Sequence, residues 1–418
     1  MRLGNPPVKV SVLASLLVLT VWFQVGVAAA VGLPSSGHVY TMTNDPAGNA
    51  VVVFNRAADG TLTKSGSFPT GGTSIGFFAT GNQNGLLLSQ SGQCLWAVNS
   101  MSDSITAFHV RGDSLKLVNT VASGGRRPIS LTEYNGLLYA LNAGGQLRDA
   151  NVDATASDNI SGFTVGFGCG LSPLSGSTQP LSDVSTSPAE VSFTPSGRVL
   201  VVTEKVTNMI TTYTVDKNGR PSGPNPQPSA GGEPFGFTFI NRGQMLVTEA
   251  DCHAPQPPGN LPGCSVPPDA PALSSYDVAD DGTLTLIDNE VDDQAAKCWV
   301  VATNSQRFAF TVNALATQAG GTPGLPPAGS ITSYHLDPDG SLTELAVTPI
   351  PLAPVGVPVD AALSLNSRFL YVLSEGDGTI SGFQVGSDGG LTLLGTFAIT
   401  AVPAIATNGP FPNGLAAR

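Results

Sequence analysis

Four carboxylates stand at positions where the rest of the chain places smaller residues. Glu204 and Glu249 close the apolar runs "VLVVTE" and "MLVTE"; Glu190 and Asp360 follow an opening proline by two residues, in "PAE" and "PVD". Clustered carboxylates split their pKa values through burial and like-charge repulsion, so that one serves as base while another keeps its proton. Glu204, Glu249 and Glu190 are therefore the candidate catalytic residues. Arg126, Arg127 and Lys205 are cations that can hold an anionic substrate or stabilise an oxyanion. Trp299 offers either a ligand platform or a channel plug. Asp360 and His253, the latter in a Pro/Gly-rich loop, complete the candidate binding set. The four histidines form no cluster of zinc-binding type, and no spaced Asp/Asn loop of calcium type appears, so neither a metal nor a cofactor is expected.

These positions stand out because the chain repeats. Turn-plus-strand signals recur as "DGTLT" at 59–63 and 281–285, "DGSLT" at 339–343 and "GGLTL" at 389–393, with looser versions at 112–116, 169–174 and 218–222. Asp-Gly before an alternating strand is hairpin chemistry. Before each lies an alternating segment such as "MITTYTV" or "SITSYHL", and before that an apolar run such as "FLYVLS". Adding the segment that precedes each apolar run gives four strands per unit, a to d in chain order. Seven units of about 45 residues read as a seven-bladed all-β propeller. The first unit begins at strand b and the chain ends in "PFPNGLAAR", which resembles a strand a. The C-terminal strand is thus expected to join the N-terminal three and close the ring, removing the exposed edges.

Aligned blades supply an internal control. The last position of strand b reads Asn44, Asn99, Asn142, Glu204, Glu249, Asn313 and Ser374. Asn and Ser hold turns through short side chains, which Glu is expected to do poorly. Strand a reads Gly85, Ser130, Glu190, Gly236, Trp299, Asp360 and Gly414, so three positions depart from small residues near the axis. The start of a and the end of b share one face with the b–c and d–a connections. The long insertions at 143–159, 250–272 and 314–329 are all b–c loops on that face, and the candidate residues are expected to ring its channel mouth.

Composition sets the class. The 418 residues include 49 Gly and 33 Pro, only 11% are charged, and the net charge of −12 argues against a nucleic-acid surface. Arg2 and Lys9, the apolar run 10–27 and Ala28-Ala29-Ala30 read as a signal peptide over residues 1–30, followed by a short segment 31–37 and one propeller domain over 38–418. With no second spanning run, the mature protein is expected to be secreted, extracellular or periplasmic, and monomeric, with no membrane span. Export permits disulfides. Cys252 and Cys264 bracket "HAPQPPGNLPG", where a bridge would restrict the loop by about 3 kcal/mol in the chain-entropy model. Cys94 and Cys298 lie in apolar strands, as buried thiols often do. His109 and His335 occupy equivalent places in strand c, which reads as structural.

The repeat pattern resembles the lactonase-type seven-bladed propellers, which include bacterial 6-phosphogluconolactonase and fungal carboxymuconate cyclase. "SGRVLVVTEKVTN", "PFGF", "CWVVATNSQRFAFTVN" and "AALSLNSRFLYVLS" carry the resemblance over nearly the whole mature chain. It is closest to exported bacterial members of lactonase-like or muconate-cyclase-like type. The resemblance implies hydrolysis or closure of a lactone ring, with a Glu activating water or carrying the proton and Arg or Lys205 binding the carboxylate or oxyanion. It also implies a His beside Glu and Arg, and no His stands on a strand a or at a b-strand tip. The other reading is a non-catalytic propeller that binds a saccharide, a peptide or a protein partner through the loop-bearing face.

Overall fold

The structure is a computed structural model; it describes residues 1, 2, 4, 36–75, 82–144, 156–240, 243–250, 271–292, 294–315, 329–352, 356–399 and 411–418. The chain divides into a short unit, Met1–Leu33, and a compact unit, Pro34–Arg418. The proposed signal segment and the Cys252–Cys264 loop with His253 lie outside the described residues, apart from Met1, Arg2 and Gly4.

Among the described residues every regular element of the compact unit is a strand, and the strands form seven antiparallel sheets in radial order. Each sheet runs a-b-c-d, as in the fourth blade, Pro188–Phe193, Val199–Glu204, Met209–Val215 and Pro221–Pro228; in the third blade strand d is split into Leu171–Pro173 and Gln179–Pro180. Asn413–Ala417 pairs with Gly37–Met42, so the last strand does complete the first blade. Strands b and c are buried almost throughout, whereas strand d alternates outward. The core therefore lies between blades, where the inward rows of neighbouring sheets meet.

The recurring Asp-Gly turn has a physical cause. Asp59 Oδ1 accepts from the Thr61 N–H at 3.0 Å, and Asp281 and Asp339 bond equivalently two residues on. The glycine then has positive φ, +90° at Gly60, and a Cβ there would sit 2.5 Å from the Phe369 ring of the preceding blade. The glycine carbonyl is latched from that blade as well. Tyr371 Oη donates to Gly60 O at 2.7 Å, Tyr139 Oη to Gly219 O at 2.6 Å, Thr212 Oγ1 to Gly282 O at 2.8 Å and Ser275 Oγ to Gly340 O at 2.7 Å. The motif thus specifies blade-to-blade docking as much as hairpin closure.

The third blade replaces that glycine by Cys169, which keeps a positive φ of 81°. Trp96 Nε1 of the second blade latches its carbonyl at 3.0 Å. The Cys169 sulfur is bonded to that of Cys94, with Cα atoms 5.4 Å apart and the two residues 75 positions apart in sequence. The sequence leaves the state of Cys94 open, and blade docking decides it by bringing the third blade's turn onto the strand that Cys94 opens. Cys298 is buried in its inner strand. Replacing Cys94 and Cys169 together by Ser should lower the unfolding free energy by about 2–4 kcal/mol, read by denaturant titration of the oxidised protein against the variant.

Candidate functional site in the central channel

The innermost strands place their edges on the channel. In every blade except the second, the a–b register slips at the start of strand a, as between Pro188 and Glu190 or between Pro358 and Asp360. Bulges re-aim side chains, and the re-aimed residues are those that sequence alignment singled out.

Their partners reveal a shared task. Ser130 Oγ accepts from the Val191 N–H of the next blade at 3.2 Å. Glu190 Oε2 accepts from the Phe237 N–H of its next blade at 2.6 Å, and Asp360 Oδ2 from the Leu415 N–H at 2.8 Å. Each side chain satisfies an inner-edge N–H that would otherwise be left in a closed channel. The fifth blade carries Gly236 at this place, and Gln83 supplies the missing acceptor, its Oε1 bonding the Val300 N–H at 3.2 Å. A Cβ on Gly236 would meet that same oxygen at 2.3 Å.

Gln83 belongs to a strap, Asn82-Gln83-Asn84, that crosses the channel. Asn82 Nδ2 donates to Ile129 O at 2.5 Å, Gln83 N to Ala189 O at 3.3 Å, and Gln83 Nε2 to Val300 O at 3.1 Å. Trp299 Nε1 donates to Asn82 O at 2.9 Å. Asn84, at φ +62°, donates through Nδ2 to Glu190 Oε1 at 2.6 Å. Both Glu190 oxygens are thereby held. Single-sequence alignment missed the strap because it precedes a strand a and repeats in no other blade. The one signal for it was a glycine, Gly236, between blades that carry side chains.

Beside the strap lies a cavity of about 470 Å³, a size that suits a small molecule. It runs from Glu190 and Asn84 along the inner strands to the a–b turns, with Tyr134, Pro195 and Phe239 at that end. This is the face opposite the expected mouth. Of the described candidates, Glu190 alone lines it.

The remaining candidates are dispersed. Glu204 is fully buried; its Oε1 accepts from the Ser182 N–H at 3.1 Å and its Oε2 from the Ser182 hydroxyl and from Thr207 Oγ1. Glu249, also buried, accepts from Ser229 Oγ at 2.7 Å and Ser274 Oγ at 3.0 Å. Asn99 does the same with Thr70 of the preceding blade, at 2.7 Å. The expectation that Glu does the work of Asn poorly here is thus corrected: the longer acid spans to the d–a connection and serves as the same clasp. Lys205 Nζ donates to Pro188 O at 3.2 Å and sits 4.7 Å from the Phe235 ring centroid; that ring meets Trp299 edge-on at 5.3 Å. Trp299 is buried. Arg126 is exposed beside Asp103, 3.7 Å away, and Arg127 bonds Asp103 through its backbone N–H at 2.8 Å. Of the expected ring, Glu190 faces the cavity, Asp360 is buried on the Leu415 N–H, and the strand-b tips Glu204 and Glu249 bond to the d–a connections.

Burial decides the electrostatics. It pushes Glu190 well above the usual carboxylate range, with the Asp360 charge adding to the effect and the Phe237 and Asn84 bonds opposing it. Burial likewise pushes Asp360 and Glu375 up to about 8. Among the described residues no group of three or more His, Cys, Asp or Glu is placed to hold a metal ion.

The lactonase seven-bladed β-propeller family model matches residues 34–162. Among solved structures, the periplasmic gluconolactonase of Pseudomonas aeruginosa is 14% identical and aligns over 91% of this chain and 98% of its own, with a TM-score of 0.65. A candidate 6-phosphogluconolactonase from Bacteroides fragilis is 17% identical over 91% and 97%, with a TM-score of 0.62. A Lactobacillus plantarum protein is 14% identical over 91% and 98%, with a TM-score of 0.61. At these identities the likeness establishes the fold. No curated protein matches the chain.

Proposed function

We propose that this seven-bladed propeller, whose residues 34–162 match the lactonase propeller model, is an exported enzyme that opens a lactone ring in its central channel with Glu190 as the working acid. The observation that carries this reading is Glu190 itself: a carboxyl with both oxygens anchored, lining a cavity of small-molecule size. Burial raises its pKa and so favours the protonated form. A water adds to the lactone carbonyl carbon and the ring C–O bond breaks. Glu190 gives its proton to the departing ring oxygen, and the proton lost by the water restores it. In this reading Glu204 and Glu249 hold the fourth and fifth blades in register. The Cys94–Cys169 bridge supports export to an oxidising compartment.

The test is acid release from a lactone panel. The wild type is expected to turn over at least one member, and Glu190→Gln to lose about 100-fold or more in kcat while keeping its thermal unfolding midpoint within a few degrees. Equal turnover by the variant would sink the assignment.

A further inference from the structure

The N–H donors that border the channel cavity are already in use. Four lining residues have their backbone N–H taken by a side chain of another blade or of the strap. Phe193 donates to Thr132 Oγ1 at 3.1 Å, Phe237 to Glu190 Oε2, Leu415 to Asp360 Oδ2 and Val300 to Gln83 Oε1. The two side-chain amides of the lining are spent likewise, Asn84 Nδ2 on Glu190 Oε1 and Gln83 Nε2 on Val300 O. An acceptor remains. Glu133, half-buried beside Tyr134, receives the Gly136 N–H on Oε1 at 2.9 Å, and its Oε2 has no partner among the described residues. Positive charge is turned away from the lumen. Among the described lining residues there is no Lys, Arg or His. The a–b turns of the fourth, sixth and seventh blades carry Arg198, Arg307 and Arg368 on this face. Arg198 pairs with Asp280 at 2.7 Å, and the other two lie over the Phe308 and Phe369 rings at 5.1 and 5.5 Å. Arg418 Nη1 donates to Gly92 O at 2.7 Å.

Ligands are ranked by charge in such a cavity. An anion would lose its water and find neither a counter-ion nor those N–H groups, which is strongly unfavourable. A neutral hydroxylated ring can donate to the acceptors, and its C–H face can lie on Tyr134 or Phe239 at the a–b turn end. An ammonium group on that ring adds three donors and a positive charge, which the Glu133 carboxyl and the aromatic faces both favour. We infer that the channel cavity is a site for a small hydroxylated ring bearing an ammonium group, an amino sugar or its lactone, and that it rejects phosphorylated and carboxylated analogues. This goes beyond the lactone reading, because the argument concerns charge and hydrogen bonding and holds whether or not the bound ring is opened.

The experiment keeps the two apart by using rings that cannot be hydrolysed as lactones. Glucosamine, glucose and glucuronate share one ring size and carry a positive, a zero and a negative charge at pH 6.0. Their binding to the wild-type protein is measured by titration followed by NMR. Glucosamine is expected to bind at least tenfold more tightly than glucose, with glucuronate weakest. Equal affinity for glucosamine and glucose, a preference for glucuronate, or no binding of any of the three overturns the inference. Turnover of glucono-1,5-lactone and of its 2-amino-2-deoxy analogue is followed separately on the wild type. The expected order of binding with neither lactone opened upholds the inference and removes the hydrolase reading for these rings. Turnover with a different order of binding does the reverse. In a second arm, Glu133→Gln keeps an acceptor for the Gly136 N–H but removes the charge. It is expected to narrow the gap between glucosamine and glucose at least threefold, and an unchanged gap would count against selection by charge at this wall.

Discussion

Asp292→Ala is expected to cost about 3–5 kcal/mol of folding stability, the range for breaking a buried ion pair from one side. The Lys297 side chain is 0% exposed and that of Asp292 3%, with Nζ and Oδ2 2.5 Å apart. Tyr334 Oη donates to the same Asp292 oxygen at 2.5 Å and lies 2.8 Å from Nζ, and Nζ also approaches the Tyr334 ring at 5.3 Å. Removing the carboxylate strips a dry ammonium of its closest countercharge. The pair ties the end of the fifth blade's outer strand to the inner strand of the sixth, so the loss is felt at an interface. Asp292→Ala combined with Lys297→Met should recover much of the deficit, because an apolar side chain has no charge to desolvate. Urea unfolding of the two single variants and the double variant measures this as a cycle. Equal losses in the single and double variants would show that packing, rather than charge, holds the site.

Stability should also fall as pH rises from 5 to 8.5. Asp360 and Glu375 keep their protons in the folded protein up to about 8, whereas the unfolded chain releases them near 4. Between those values the folded state binds more protons, so raising the pH favours unfolding. The stabilisation is complete below the unfolded value and is lost as pH passes through the folded one. One pKa unit is about 1.4 kcal/mol, so each group contributes up to about 4 kcal/mol of slope across this window. Glu190 acts in the same direction. Thermal unfolding midpoints at pH 5.0, 7.0 and 8.5 test this. The wild type should lose several degrees, and Asp360→Asn, which can still accept the Leu415 N–H, should lose less. A midpoint that rises across the window would contradict the burial argument.

Particular residues show how far the sequence reached. The Asp-Gly turns, the alternating c strands and the strand-like tail "PFPNGLAAR" were local signals, each set by hydrogen bonding or side-chain periodicity within a few residues. They were sufficient for a closed ring of seven four-stranded blades. Aligning the blades also identified Glu190, Asp360, Glu204 and Glu249 as departures, a fact of the sequence alone. Their surroundings depended on contacts between blades. Ser182 reaches Glu204 from the preceding connection, and Gln83 reaches Val300 across 217 residues of sequence. Cys169 reaches Cys94 because a turn of one blade docks on a strand of its neighbour.

The sequence by itself determined the repeat, its four-strand unit, the closure of the ring and the positions at which one blade differs from its sisters. Only the tertiary structure decided what those differences do. A bulge, whose direction no local pattern encodes, brings Glu190 to the cavity and Asp360 to the Leu415 N–H, while strand ends in unbroken register with strand c leave Glu204 and Glu249 as clasps. The strap that floors the cavity is a single copy, invisible to any comparison of repeats. Periodicity fixes which backbone groups need partners, but a partner supplied from another blade is chosen by distance in space, and that is set only when the ring closes.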